Sequence, residues 1–184
     1  MKTVKWIYEN DSKADVRYVL GIEGEHPLIC FGINPSTAKP NELDNTLKSV
    51  DRLARSNGYD SWIMLNIYPQ RATNPKDIHQ SIDKHLHKKN IDFITGILST
   101  RKADIWAAWG TLIEKRPFLI PCLFDIYTLT NKFKCQWVSI GKESKHGHPH
   151  HPLYLHSMEK IKAFPIEQYI NAISYNINQV DNKI

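Results

Sequence analysis

"PLICFGINPSTAKPNELDNTLKSVDRLARSNGYDSWIMLNI", residues 27–67, decides the fold. It opens on an apolar, partly β-branched run, 27–34, and passes through a polar loop. It then sets Leu43, Leu47, Val50, Leu53 and Ala54 at helical spacing. Gly58 is a natural C-terminal stop for that helix. A second apolar run, 61–67, follows. Strand, helix, strand in this order predicts a parallel pair covered on both faces, because a uniformly apolar strand has no side to spare for water.

Outward from this unit the same alternation continues. "RYVLGI" (17–22) stands before it, and the intervening "EGEH" reads as the turn of a hairpin with 27–34. Downstream, apolar positions 82, 86, 93, 94, 97 and 98 fit one or two helices, with Asn90 as a cap between them. "ADIWAAWG" (103–110) is a third buried strand, and Phe118, Leu119, Cys122, Leu123, Ile126 and Leu129 return to helical period. "CQWVSIG" (135–141) is a fourth strand. Ile166, Tyr169, Ile170, Ile173 and Ile177 predict an amphipathic C-terminal helix over about 165–178. The expected fold class is therefore α/β: a three-layer α/β/α domain, single over 1–184, around a mostly parallel central sheet.

Composition sets the outer limits. Apolar residues make up 41% and charged residues 23% of the 184, which suits one folded domain rather than a disordered chain. No apolar run reaches the roughly 20 residues a bilayer-crossing helix needs, and the first residues lack a secretory signal, so a cytoplasmic location and no membrane partner are expected. Cys30, Cys122 and Cys135 are widely scattered and read as free thiols, not a disulfide or metal set. The formal net charge of +5 permits contact with phosphates without demanding it.

Parallel strands present their C-terminal ends on one edge of the sheet, where ligands of open α/β folds bind. Each predicted strand leads there into a polar loop: "NPSTAKPNELDNT", "NIYPQRATNP", "WGT" and "GKESKHGHPHHPLY". Asn34, Ser36, Thr37, Asn66, Tyr68, Arg71, Trp109, His148, His151 and Tyr154 are thus candidates to line one cleft. The blander readings stay open beside this one: "NPST" is also a turn sequence, and Arg71 also a surface residue. Residues 147–156 hold four histidines and two prolines, and a pocket-lining loop is preferred there over a plain turn. A metal site comes last, because His148, His150 and His151 lack a matched Cys, Asp or Glu pattern. No cofactor and no metal are expected.

"INPSTA", Asp44 and Thr46, "NIYPQRATNPKD", "AAWG" and "GHPHHPLYL" together resemble, in order, a bacterial family known as domain of unknown function 1643, over about 6–164. More distantly, "GINP" (32–35) and "GHPHHP" (147–152) are similar to the two signature motifs of the uracil-DNA glycosylase superfamily. That likeness implies the α/β/α fold and a site in which Asn34 holds or polarises an attacking water. His148 would stabilise charge on a departing base, and Asn66 would read a base edge. Tyr68 or Trp109 would stack on the base. The histidine loop departs from that pattern. It lacks the serine-proline-leucine run from which those enzymes wedge a side chain into a duplex. The expectation is a glycosylase-like protein that recognises a nucleobase or nucleotide and hydrolyses an N-glycosidic bond. The alternatives are a non-catalytic nucleotide or nucleic-acid binding module and a metal-dependent hydrolase centred on the histidines.

Overall fold

The computed structural model describes residues 4–181, with side chains described to residue 174. Seven strands form one sheet: β1 (Trp6–Asn10), β2 (Arg17–Ile22), β3 (Pro27–Gly32), β4 (Ser61–Asn66), β5 (Asp104–Ala107), β6 (Gln136–Ile140) and β7 (Ile161–Ala163). Their spatial order is β1-β2-β4-β3-β5-β6-β7. The four strands β4, β3, β5 and β6 are neighbours and parallel. These are the strands the apolar runs predicted.

The sheet as a whole is mixed rather than mostly parallel. β1 with β2, β2 with β4, and β6 with β7 are antiparallel pairs. The expected hairpin is also corrected, since β2 pairs with β1 and β4 and not with β3. β1 and β7 had no strand signal: their burial patterns show no fully buried residue, so neither needed a continuous apolar run. Of the three antiparallel pairs only β1 and β2 are joined by a short connection, residues 11–16, which parallel neighbours cannot have.

Period-two alternation divides the core into two layers. On one face, Leu28, Cys30, Trp62, Met64 and Trp106 pack against Leu47, Val50, Leu53 and Ala54 of α1 (Asn45–Ser56). On the other, Ile29, Phe31, Ile63, Leu65 and Ile105 pack against α2 (Lys84–Ser99), α3 (Leu119–Lys132) and α4 (Ile166–Asp181). The side chain of Ile177, the last residue of the predicted α4 stripe, lies outside those described. α2 is one helix. Asn90 is no cap but sits fully buried in its middle, donating to the Asn66 carbonyl at the end of β4 at 2.9 Å. All three cysteines are free, Cys30 and Cys122 buried and Cys135 half-buried. Among the described residues no helix is long and apolar enough to cross a membrane.

Candidate active site

The parallel register aligns the C-terminal ends of the central strands, with Gly32 beside Asn66 and Phe31 beside Ala107. Because β2 runs antiparallel to β4, its first residue, Arg17, comes to this same edge, and its N–H donates to the Pro69 carbonyl at 3.0 Å. Three adjoining clefts of about 330, 410 and 360 Å³ form a continuous crevice here. The first holds Tyr8, Ser36, Thr37 and Arg71, and shares Ser36, Thr37, Ala72 and Thr73 with the central one. The central cleft holds Arg17, Asn34, Asp44, Asn45, Thr46 and His151. It shares Pro75, Leu112 and His151 with the third, which adds His148, His150 and Tyr154.

Asn34 is held in a defined rotation. Its Nδ2 donates to the Ala72 carbonyl at 2.7 Å and to the Pro35 carbonyl at 3.0 Å. The Pro35 carbonyl in turn accepts from the Ala72 N–H, which laces the 69–73 loop to the loop after β3, and the Arg71 N–H donates to the Asp15 carbonyl just before β2. With its nitrogen thus occupied, the amide presents Oδ1 as its remaining polar atom, an acceptor for a donor entering the cleft. Asp44 is the cleft's carboxylate. It caps α1, one oxygen accepting from the Leu47 N–H at 2.9 Å, which leaves the other open.

The two histidines of the predicted site differ. His151 lines the central and third clefts and begins the turn Pro152–Tyr154. Gly110, at φ +62, lets the chain pass its β-carbon closely; a Cβ there would stand 3.3 Å from that of His151. Burial pushes the imidazole of His151 below its ordinary pKa, opposed by the charge of Asp44, so it is neutral at pH 7. Its Nδ1 accepts from the Leu153 N–H at 3.4 Å, which puts the ring proton on Nε2. His148 is buried, and both its nitrogens are engaged: Nδ1 with the Tyr169 hydroxyl at 2.8 Å, Nε2 with Glu114 at 3.3 Å.

Two of the three aromatic candidates are core residues. Tyr68 is fully buried, its hydroxyl bound to His79 Nδ1 and accepting from the Asp83 N–H. Trp109 is fully buried, donates to Tyr169 at 3.0 Å and packs on Trp137 and Phe164. Tyr154 remains exposed at the end of the crevice. Asn66 lies behind the cleft wall, fully buried, with neither amide atom partnered, beside Gly32 and Met64 of the lining. Ser36 and Thr73 are linked through their hydroxyls at 3.2 Å.

Arg17 and Asp44 were not among the site residues read from the chain. Asp44 carried a signal, as a helix-capping type just before the apolar periodicity. Arg17 carried none, since nothing local marks an arginine at a strand start as buried. Among the described residues no group of three or more His, Cys, Asp or Glu is placed to hold a metal ion.

The family model described as "Protein of unknown function (DUF1643)" matches residues 17–153. The chain belongs to this family. The matched span is shorter at both ends than the motif reading of 6–164; it takes in the whole lining of the central cleft and leaves Tyr8 and Tyr154 of the outer two outside. No curated protein and no solved structure matches the chain.

Proposed function

We propose that the crevice recognises a nucleobase or nucleotide and that its central cleft hydrolyses an N-glycosidic bond. The observation that carries this reading is the pinned amide of Asn34, which faces a cleft also lined by a carboxylate, Asp44, and a neutral imidazole, His151. The order of "GINP" and "GHPHHP" along the chain supports it, as does a parallel strand core covered by helices on both faces, the layering of the glycosylase superfamily.

Each group has a distinct task. The oxygen of water bonds to the anomeric carbon while the bond from that carbon to the base nitrogen breaks, the electron pair leaving with the base. Asn34 cannot take a proton, so its Oδ1 orients the water and the free oxygen of Asp44 accepts the proton. His151 replaces His148 as the donor to the departing base, because its Nε2–H is uncommitted whereas both nitrogens of His148 are bound.

Uracil-containing single strands, duplexes and free nucleosides and nucleotides, incubated with the protein and resolved for released base, test this. Wild type is expected to release base. Asn34→Ala is expected to lower kcat on the order of 10²–10³ with little change in KM, since a water-orienting group acts mainly in the transition state. Asp44→Asn, which keeps the helix cap, is expected to lower the rate as well. Measurable binding without release from any substrate would make the protein a non-catalytic binding module instead.

A further inference from the structure

Arg17 is the least compensated charge in the crevice. Its side chain is 2% exposed and lines the central cleft. Of its five donors, one is used: Nη1 donates to the Ala38 carbonyl at 3.0 Å, and Nε has no partner. No carboxylate among the described residues forms an ion pair with it. Its nearest charged company includes a second cation. Arg71 binds the Ser36 and Ala38 carbonyls and the Tyr8 hydroxyl, and its own Nε is unpartnered. Burial, followed by repulsion from Arg71, pushes the Arg17 guanidinium down to about 10, still cationic at neutral pH. A buried charge of this kind is normally neutralised by a partner.

The same cleft receives the first turn of α1, a helix of 12 residues with no acidic residue in that turn. Asp44 satisfies the Leu47 N–H there and leaves the N–H groups of Asn45 and Thr46. The charge of Asp44 opposes burial and Arg71 less strongly than they act, and its carboxylate forms no ion pair with Arg17. Two guanidiniums and a helix N-terminus exceed one capping carboxylate, so the corner is matched to a dianion. A phosphate monoester carries about −1.5 to −2 at pH 7, whereas a carboxylate carries one charge. Depth selects the monoester further. A diester flanked by two sugars stays at the surface, but a terminal phosphate can reach a group as buried as Arg17.

The geometry points to a phosphate-monoester subsite formed by Arg17 and the first turn of α1, which makes the ligand a nucleoside monophosphate or an equivalent terminal phosphate. It deepens the nucleotide reading above and rests on it for the nucleoside half of the ligand, but not for the phosphate half.

The test is equilibrium binding by calorimetry of inorganic phosphate, nucleoside 5′-monophosphates, the matching nucleosides, and oligonucleotides with and without a 5′-phosphate. Wild type is expected to bind a monophosphate at least about tenfold more tightly than its nucleoside. Arg17→Met is expected to erase that ratio, and Arg17→Lys, which keeps the charge but not the fork, to restore part of it. Lys48→Met, an equal charge change on the exposed face of α1, is expected to leave the ratio intact. Equal affinity for nucleotide and nucleoside, no binding of either, or a ratio that survives Arg17→Met would overturn the subsite. Tighter binding of a strand lacking any terminal phosphate would overturn the monoester. Phosphate-dependent binding through Arg17 without base release would keep the subsite and remove the hydrolase. Base release indifferent to the phosphate and to Arg17 would do the reverse.

Discussion

The corner around His148 and the corner around Arg17 share one sheet edge and are built in opposite ways. In the first, Trp109 Nε1 donates to Tyr169, whose hydroxyl meets His148 Nδ1, and His148 Nε2 reaches Glu114. Each polar atom of Trp109, Tyr169 and His148 there has a partner, and three aromatic rings, Trp137, Phe164 and Tyr169, pack around Trp109. In the second, Arg17 Nε, Arg71 Nε and both amide atoms of Asn66 have none. A completed network stabilises the fold, while an incomplete one leaves buried polar atoms whose desolvation is not repaid within it. The histidine of a suggestive motif is thus fully bonded within the fold, and an arginine in an unremarkable strand is the one buried without a counter-charge.

The contrast predicts stability changes of opposite sign. The largest is at His148. His148→Ala removes the bond to Tyr169 and leaves a cavity beside Trp109, so chemical denaturation is expected to show a loss of about 2–4 kcal/mol. A change near zero would dissolve the distinction between the two corners. Arg17→Met works the other way. It removes an unneutralised buried cation, and the unliganded protein is expected to gain about 1–3 kcal/mol while losing its preference for phosphate. Destabilisation comparable to that of His148→Ala would make Arg17 a structural residue.

Tyr169→Phe sharpens the first corner. Burial already raises the pKa of that phenol, so it acts as a neutral hydroxyl, and its removal unpairs Trp109 Nε1 and His148 Nδ1 together. The expected loss is about 1–2 kcal/mol, with base release reduced no further than the fall in folded fraction. The smallest effect is a pH dependence at His151. Burial holds its folded pKa below the ordinary histidine value of 6.5, so as pH falls through this range the unfolded chain binds more protons than the folded one. Stability from this group is therefore complete above about pH 6.5 and declines as pH falls below it. Urea titrations across pH 5 to 8 are expected to show a shallower acid decline for His151→Gln than for wild type, and identical declines would place the ring in solvent.

Much of the fold was legible because its signals are local. Four uninterrupted apolar runs are what strands buried on both faces require, and they became β3, β4, β5 and β6. The helices followed from period and capping, with Asp44 and Gly58 bounding α1 closely. The loops at the C-terminal edge were also readable, since parallel strands put them there, and Asn34, Ser36, Thr37 and His151 do line one cleft. Asn90 misled because an asparagine in a helical pattern resembles a cap, whereas here it satisfies the carbonyl of Asn66.

By itself, then, the sequence determined the α/β class, the parallel strand core, the helix positions, family membership and the edge at which polar loops gather. These depend on residue type and spacing within a dozen or so positions. Tertiary structure alone decided that β2 lies against β4, that β1 and β7 close the sheet, that His148 is tied up by Tyr169, and that Arg17 is buried without a counter-charge. The physical reason is that pairing between distant segments sets which polar atoms find partners, and a missing partner leaves no mark on the residues nearby in the chain.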